Sequence, residues 1–375
     1  MLGDVHAVML AVSELKLTDP RLPAIWQILQ ERVRLLSPFV TWQWVGALAA
    51  VPEVSSKVRV LVVTDNERVL GLLPVEHWKS NENLRVLGPA GGQWLAPDHI
   101  DVVAVPADRG RVADALVQRM MGWCSWDMLD FEGLAADGAL LRALNRRRRP
   151  QLLRPPDQKV HAPYVDLLAR EPALLLPSRN LRQQVRRGLR FCERTGGGLS
   201  VTEQPSDVRL LLPVLMRLHN ERFGSASKVF ATPERRRFHV AAAASLAEHG
   251  MARIYWLEVQ SQKAALLYAL KAYGHLYYYS MGFRPELGLS PGLTLLGQTL
   301  LAAAAEGLEE FDLLRGDHAF KLRFATGSRA DARVRLLRAT PRSLGWSSRR
   351  LADRLAPDRR TRTIADHCPS SCLCP

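Results

Sequence analysis

Cysteine is scarce in this chain of 375 residues. Cys124 and Cys192 stand alone, while Cys368, Cys372 and Cys374 crowd the carboxyl terminus beside His367. A secreted disulfide framework spreads paired cysteines through the fold, so a reducing cytoplasm is the expected setting. The terminal cluster matches no common zinc spacing and reads as a frayed tail, so no metal is expected. Long apolar runs are missing too: residues 295–305 are broken by Gly297, Gln298 and Thr299, and nothing reaches bilayer length. The opening Met1-Leu2-Gly3-Asp4-Val5-His6 lacks the basic region and apolar core of a signal peptide. A soluble, cytoplasmic protein follows as an expectation. Neither G-x-x-x-x-G-K-[ST] nor G-x-G-x-x-G occurs, which excludes a Walker site and a Rossmann phosphate loop.

Acid is in deficit. Lys and Arg number 51 against 37 Asp and Glu, a net charge of +14 carried mostly by arginine. Such a field favours anionic partners (a nucleotide cofactor, tRNA, an acidic glycan or a membrane surface) without choosing among them. The apolar fraction of 47% is enough for a real core, and the length suggests two domains. The run Arg146-Arg147-Arg148-Arg149-Pro150, with Pro155-Pro156 after it, reads as the join. The expected division is 1–145, a linker 146–160, a second domain 161–335, and a basic, Cys-containing tail 336–375.

Periodicity predicts a helix over 22–36, a hairpin of strands 58–64 and 69–77, short strands at 84–87 and 100–105, a helix at 109–123 and a strand at 126–132. A helix capped by Ser178 or Asn180 runs to Arg194 and carries a stripe of arginines. Two more helices, 211–223 and 233–249, precede strands 252–259, 264–272 and 276–283, a helix at 291–307 and a strand at 310–314. The order of elements in the first half thus recurs in the second, although the residues do not. The reading is α/β, two related units in tandem.

Chemistry concentrates in the second unit. Ser290-Pro291-Gly292 opens a helix after a strand, presenting free N–H groups and a positive dipole end to an anion. Pro291 has no N–H to leave unsatisfied, Gly292 permits close approach, and Thr294 supplies a hydroxyl. In strict alternation His275, Tyr277, Tyr279 and Met281 share one strand face, and Leu276, Tyr278 and Ser280 the other. One phenol of this strand, or His275, is a candidate acid or base. The segment Phe311-Asp312-Leu313-Leu314-Arg315-Gly316-Asp317-His318 puts ionisable groups at a strand's carboxyl end, where ligand clefts form in open α/β sheets. Here Asp312 and Arg315 suit an ion pair, Lys321 or Arg323 a phosphate, and His318 a general base.

Ser37-Pro38-Phe39, Trp42-Gln43-Trp44, Ala96-Pro97-Asp98-His99-Ile100-Asp101, Leu218-His219, Gly282-Phe283, Ser290-Pro291-Gly292 and Phe311-Asp312-Leu313-Leu314-Arg315-Gly316 with Phe320-Lys321 follow one another in this order. In that order they resemble the CelD-type, cellulose-biosynthesis-associated branch of the GNAT acyltransferases, related in fold to FemAB aminoacyl ligases. The resemblance implies a tandem GNAT-like fold of mixed sheets flanked by helices, with acetyl-CoA or another acyl-CoA as co-substrate. It implies a pantetheine arm along 276–281, which includes Tyr278 and Ser280. It places a pyrophosphate at Ser290, Pro291, Gly292 and Thr294 with Arg315 near by, and catalysis among Asp312, His318, Lys321 and Tyr279. Phe320 replaces the tyrosine usual before the lysine. The implied reaction is N-acetyl transfer to an amino sugar or another polysaccharide precursor, with peripheral membrane contact left open. An aminoacyl-tRNA-dependent ligase and a non-catalytic accessory protein of polysaccharide assembly are the alternatives.

Overall fold

The computed structural model describes residues 10–33, 37–147, 152–168 and 175–346. The cysteine cluster at 368–374, part of the 146–160 join and most of the tail lie outside them. Among the described residues the strands are β1 (Ala11–Lys16), β2 (Val58–Asp65), β3 (Arg68–Lys79), β4 (Arg85–Pro89), β5 (Val103–Ala104), β6 (Met128–Leu134), β7 (Leu152–Leu153), β8 (Gln158–Asp166), β9 (Gly198–Thr202), β10 (Ala252–Val259), β11 (Gln262–Ala272), β12 (His275–Phe283), β13 (Glu310–Asp312) and β14 (Gly327–Arg338). All belong to one mixed sheet, ordered β1-β2-β3-β4-β6-β14-β8-β13-β12-β11-β10-β9, with β5 on β3 and β7 on β14.

The internal repeat is visible in this order. β1 to β4 are antiparallel neighbours and β4 then meets β6 in parallel. β9 to β12 are antiparallel neighbours and β12 meets β13 in parallel. Both units turn their long hairpin with two left-handed residues, Asn66-Glu67 in one and Gln260-Ser261 in the other. That backbone matches the twist of the strands it joins. β4, over the expected strand 84–87, is the first unit's counterpart of β12, and the strand expected at 100–105 is largely absent. That stretch yields only β5, because the residues before it cross to the other unit.

The two units exchange their last strands. β14 lies beside β6 of the first unit, and β8 lies beside β13 of the second. β8 and β14 pair with each other along seven positions, Gly327 opposite Tyr164 through Arg333 opposite Gln158. The expected join at 146–160 therefore runs into the sheet itself, through β7 and the start of β8.

The helices are α1 (Leu22–Gln30), α2 (Trp42–Val45), α3 (Pro52–Ser55), α4 (Arg109–Gly122), α5 (Ala139–Arg146), α6 (Arg179–Arg194), α7 (Pro205–Phe223), α8 (Pro233–Glu248), α9 (Pro291–Ala305) and α10 (Ala319–Leu322). α6 begins where its cap predicts, Ser178 Oγ accepting from Leu181 N at 3.1 Å. α6 and α9 cover one face of the second unit, over Leu267, Leu276 and Met281. α7 and α8 cover the other. There the core is continuous with that of the first unit: the Trp44 ring lies 4.9 Å from Phe238 of α8, and Trp94 lies 5.6 Å from the same ring.

Candidate active site

The parallel pairing of β12 with β13 lasts only three positions, His275 with Glu310 to Tyr277 with Asp312. Beyond them β12 continues to Phe283 without β13, so the two strands part at their carboxyl ends, the place where ligand clefts form in open α/β sheets. On its other side β12 stays paired with β11, but the register slips: Tyr268 faces Ser280, Ala269 faces Tyr278, and Tyr279 has no partner. This is a β-bulge, a device that re-aims side chains and interrupts the ladder beside active sites. It overturns the strict alternation expected from the sequence. Met281 now packs with Leu276 and Tyr278 under α9, while Ser280 turns to His219 of α7, on the face of Tyr277.

The bulge sends Tyr279 into an aromatic cluster with Phe39, Trp44, Tyr268 and His239. Its hydroxyl lies 3.4 Å from His239 Nε2. Burial drives the Tyr279 hydroxyl pKa far up, and burial with the Arg235 charge pulls His239 down to about 3. Both groups are neutral and enclosed, an arrangement for packing rather than proton transfer. Tyr278 instead lines the cleft, 5.9 Å from the Phe320 ring and within cation–π reach of Lys321.

α9 starts at the mouth of the cleft. Ser290 is left-handed (φ 53°) and its side chain makes no capping bond. The first N–H groups of the helix, Pro291 having none, therefore carry no side-chain acceptor. Gly292 has a packing reason as well: a Cβ there would stand 3.0 Å from the Phe283 ring. Thr294 is buried, its Oγ1 donating to Leu289 O at 3.2 Å and packing on Gly188 of α6. Its hydroxyl is turned away from any cleft ligand.

Asp312 and Arg315 are occupied elsewhere. His99 reaches across from the first unit and lies between two carboxylates, Nε2 3.0 Å from Asp312 and Nδ1 2.9 Å from Asp331 of β14. The His99 backbone N–H also donates to Asp331, at 2.9 Å. Burial alone would push the imidazole down; the two aspartates outweigh it and hold His99 charged well above its ordinary value. Burial likewise favours a protonated Asp312, but His99, Arg329 and the Leu314 N–H keep it ionised. Arg329 also pairs with Glu310 and covers the Tyr164 ring. Asp312, fully buried, has its oxygens spent on these partners. The expected Asp312–Arg315 pair does not form. Arg315 pairs instead with Asp98, with Glu132 at 2.8 Å and with the Pro97 carbonyl, tying the two units together.

Lys321 sits under the cleft, donating to the carbonyls of Leu314 and Arg315. Burial lowers its pKa to about 8 against the pull of Asp98 and Asp312. His318 is exposed at the start of α10, stacked on Phe320. Ser280 is buried, its Oγ 3.2 Å from His219 Nδ1. Thus Tyr278, Phe320, Lys321 and His318 lie together and the α9 terminus packs on Phe283 at the end of β12, whereas Asp312, Arg315, Thr294 and Tyr279 serve the scaffold.

Sequence reasoning singled out no role for His219, yet its surroundings are specific. Nδ1 lies 2.8 Å from Met281 O and Nε2 lies 2.6 Å from Ser227 Oγ. Elsewhere, a cavity of about 370 Å³ between the first unit and β14 is walled by Trp78 and Trp346 over Asp130 and Glu132. Among the described residues no group of three or more His, Cys, Asp or Glu is placed to hold a metal ion. No helix there is long and apolar enough to cross a membrane.

Residues 179–322 match the model of the acetyltransferase (GNAT) domain. No curated protein sequence matches the chain. Among solved structures, FemX aligns at TM-score 0.53 and 10% identity, over 86% of this chain and 96% of that one. A conserved protein of unknown function from Bacteroides thetaiotaomicron aligns at 0.56 and 10%, over 88% and 100%. L-PGS from Bacillus licheniformis aligns at 0.51 and 13%, over 89% and 96%. At these identities the likeness is one of fold: a mixed α/β sheet flanked by helices, with GNAT-like units.

Proposed function

We propose that the chain transfers an acyl group from acyl-CoA to an amine, at the cleft between β12 and β13. The observation that carries this reading is the splay of those strands directly beside the uncapped amino terminus of α9. The edge of β12 that β13 leaves unpaired suits an amide-bearing arm laid alongside it as an extra strand. The N–H groups at the start of α9, with the helix dipole, suit a pyrophosphate. The match of residues 179–322 to an acetyltransferase domain supports the same donor.

In this reading backbone N–H groups near the Tyr279 bulge polarise the thioester carbonyl as negative charge develops on it. Lys321 supplies a cation beneath the cleft, and its pKa of about 8 leaves the charged form in the majority at neutral pH. The acceptor is proposed to be an amino sugar or another precursor of an envelope polysaccharide, in keeping with the CelD-type resemblance. FemX and L-PGS share the fold, so an aminoacyl donor is the rival outcome of the test rather than an excluded one.

Calorimetry with acetyl-CoA tests the donor. Binding is expected, together with protection of the Gly292 and Leu293 amides from hydrogen exchange. Leu293→Pro, which removes one of the free N–H groups, should weaken binding by about tenfold, a shift on the scale of one hydrogen bond to a charged group. Unchanged affinity sinks the placement. No binding of acetyl-CoA, with stabilisation by an aminoacylated tRNA, favours the rival.

A further inference from the structure

The acyl-transfer reading leaves the acceptor's proton without a buried base, since Asp312 is locked in its ion network and His318 lies exposed at the start of α10. A second constellation lies against β12, built from α7 and the loop that follows it. Gly282 lets α7 lie close on the strand, since a Cβ there would stand 2.6 Å from the His219 backbone nitrogen and 2.8 Å from Leu215 O. That approach brings the His219 ring to the strand backbone just past the bulge. A carbonyl can only accept, so the 2.8 Å contact with Met281 O puts the proton on Nδ1. Nε2 is then an acceptor, and the group 2.6 Å from it is the Ser227 hydroxyl. His219 is buried by the rings of Phe223 and Phe230, while Ser227 is half-buried at the surface of the loop.

We infer that Ser227 and His219 form the proton relay of the transfer, with Ser227 touching the acceptor and His219 acting through it. The arrangement is a hydroxyl, a neutral imidazole and an orienting acceptor in line, which is the logic of an activated serine. The acceptor's N–H proton passes to Ser227 Oγ as that hydroxyl gives its own proton to His219 Nε2. The new C–N bond forms as the C–S bond breaks. The proton held on His219 then returns to the departing thiolate, so the enzyme ends as it began.

The charged groups around the ring agree with a neutral base. Arg222 lies on the same helix, over Phe223 and Phe283. Arg235 and Arg236 of α8 bond the carbonyls of Lys228 and Phe230 in the same loop, and Lys228 is itself cationic. From α8 the neighbouring His239 is held neutral by burial, and β12 contributes the Ser280 hydroxyl and the Tyr279 phenol. Burial lowers the His219 pKa, with the Met281 carbonyl opposing it only in part. The imidazole is free to accept at neutral pH.

This assignment rests on the acyl-transfer reading for its role, but the activated serine can be tested without it. A fluorophosphonate probe should label Ser227, located by peptide mass, with a rate that rises through an ionisation below the ordinary imidazole value of about 6.5. Labelling should fall about 100-fold in His219→Gln, the low end of what a positioned base contributes. Ser227→Ala should abolish it while still binding acetyl-CoA and unfolding at the same temperature as the native chain. Labelling of Ser227 no faster than of other exposed serines, or labelling whose pH profile is unchanged in His219→Gln, overturns the relay. Should His219→Gln fail to fold, Ser227→Cys decides: a thiol beside this imidazole should be alkylated far faster at pH 6 than free cysteine. If Ser227 is labelled but acetyl-CoA does not bind, the donor is wrong and the relay stands.

Discussion

At the scale of single residues, His99 sets how the fold responds to pH. It is a buried imidazolium whose pKa is raised in the folded chain, so its stabilisation is fully present below the unfolded value of about 6.5 and is lost as pH rises through the folded value. Asp312, depressed, works the other way: its contribution is present above about 4 and disappears as acid protonates it. Stability should therefore be greatest in mildly acidic solution and decline through the alkaline range. His99→Gln, followed by denaturant melts from pH 5 to 9, should lose about 3–5 kcal/mol at pH 6, the cost of breaking a buried pair. The alkaline decline should flatten in the variant. A native profile level from pH 6 to 9 would remove His99 from the account. Gly133 depends on the same crossing: it is left-handed (φ 77°), and a Cβ would run into the Pro97 carbonyl and the Arg315 guanidinium.

At the scale of elements, the two serines that precede long helices behave differently, and the difference can be measured. Ser178 caps α6 through Leu181 N, so Ser178→Ala should cost about 1 kcal/mol. Ser290 caps nothing, so Ser290→Ala should stay within about 0.5 kcal/mol in the same thermal melts. Equal losses would mean that Ser290 caps in solution, and the α9 terminus would then be less open to an anion. Elements with local signals were legible in the sequence: the hairpins from their turns, α4 from its periodicity, α9 from its Ser-Pro-Gly opening, α6 from its cap. β8 and β14 were not. β8 carries Pro163 in mid-strand, and β14 reads Gly-Ser-Arg-Ala-Asp-Ala-Arg because its side chains meet carboxylates across the sheet, Arg329 with Asp312 and Arg333 with Asp130. A strand stabilised by ion pairs has no apolar alternation to find. The bulge at Tyr279 was hidden for a related reason: register belongs to the pair of strands, and β12 alone looks regular. His99 and Asp331, separated by 232 positions, carry no common local signal. The Leu218-His219 pair was noticed, but its partner Ser227 lies in a loop with no pattern of its own.

At the scale of the whole molecule, the exchanged strands and the shared core decide whether the repeat amounts to two domains. The division at 146–160 expected from composition implies halves able to fold apart. The topology argues otherwise. A fragment ending near 147 would expose the edge of β6 where β14 lies, and would carry Trp44 and Trp94 without the α8 surface they pack on. A fragment from 175 to 346 would keep β14 but lose β8, which lies between it and β13, so its sheet would be split. It would also leave Asp312 buried without His99, and Arg315 without Asp98 and Glu132. Each half therefore loses ladder bonds, apolar cover and charge partners at once, far more than the few kcal/mol by which domains are stable. The chain should unfold in one transition, with fluorescence and circular dichroism coincident and calorimetric and van't Hoff enthalpies equal. Neither fragment alone should show native-like hydrogen-exchange protection, whereas 175–346 mixed with a first fragment extended through β8, to residue 168, should recover it. Two separate transitions, or a protected 175–346 fragment, would show that the strand exchange is decoration on independent domains. It would also show that the cleft between β12 and β13 does not need the first unit to hold its shape.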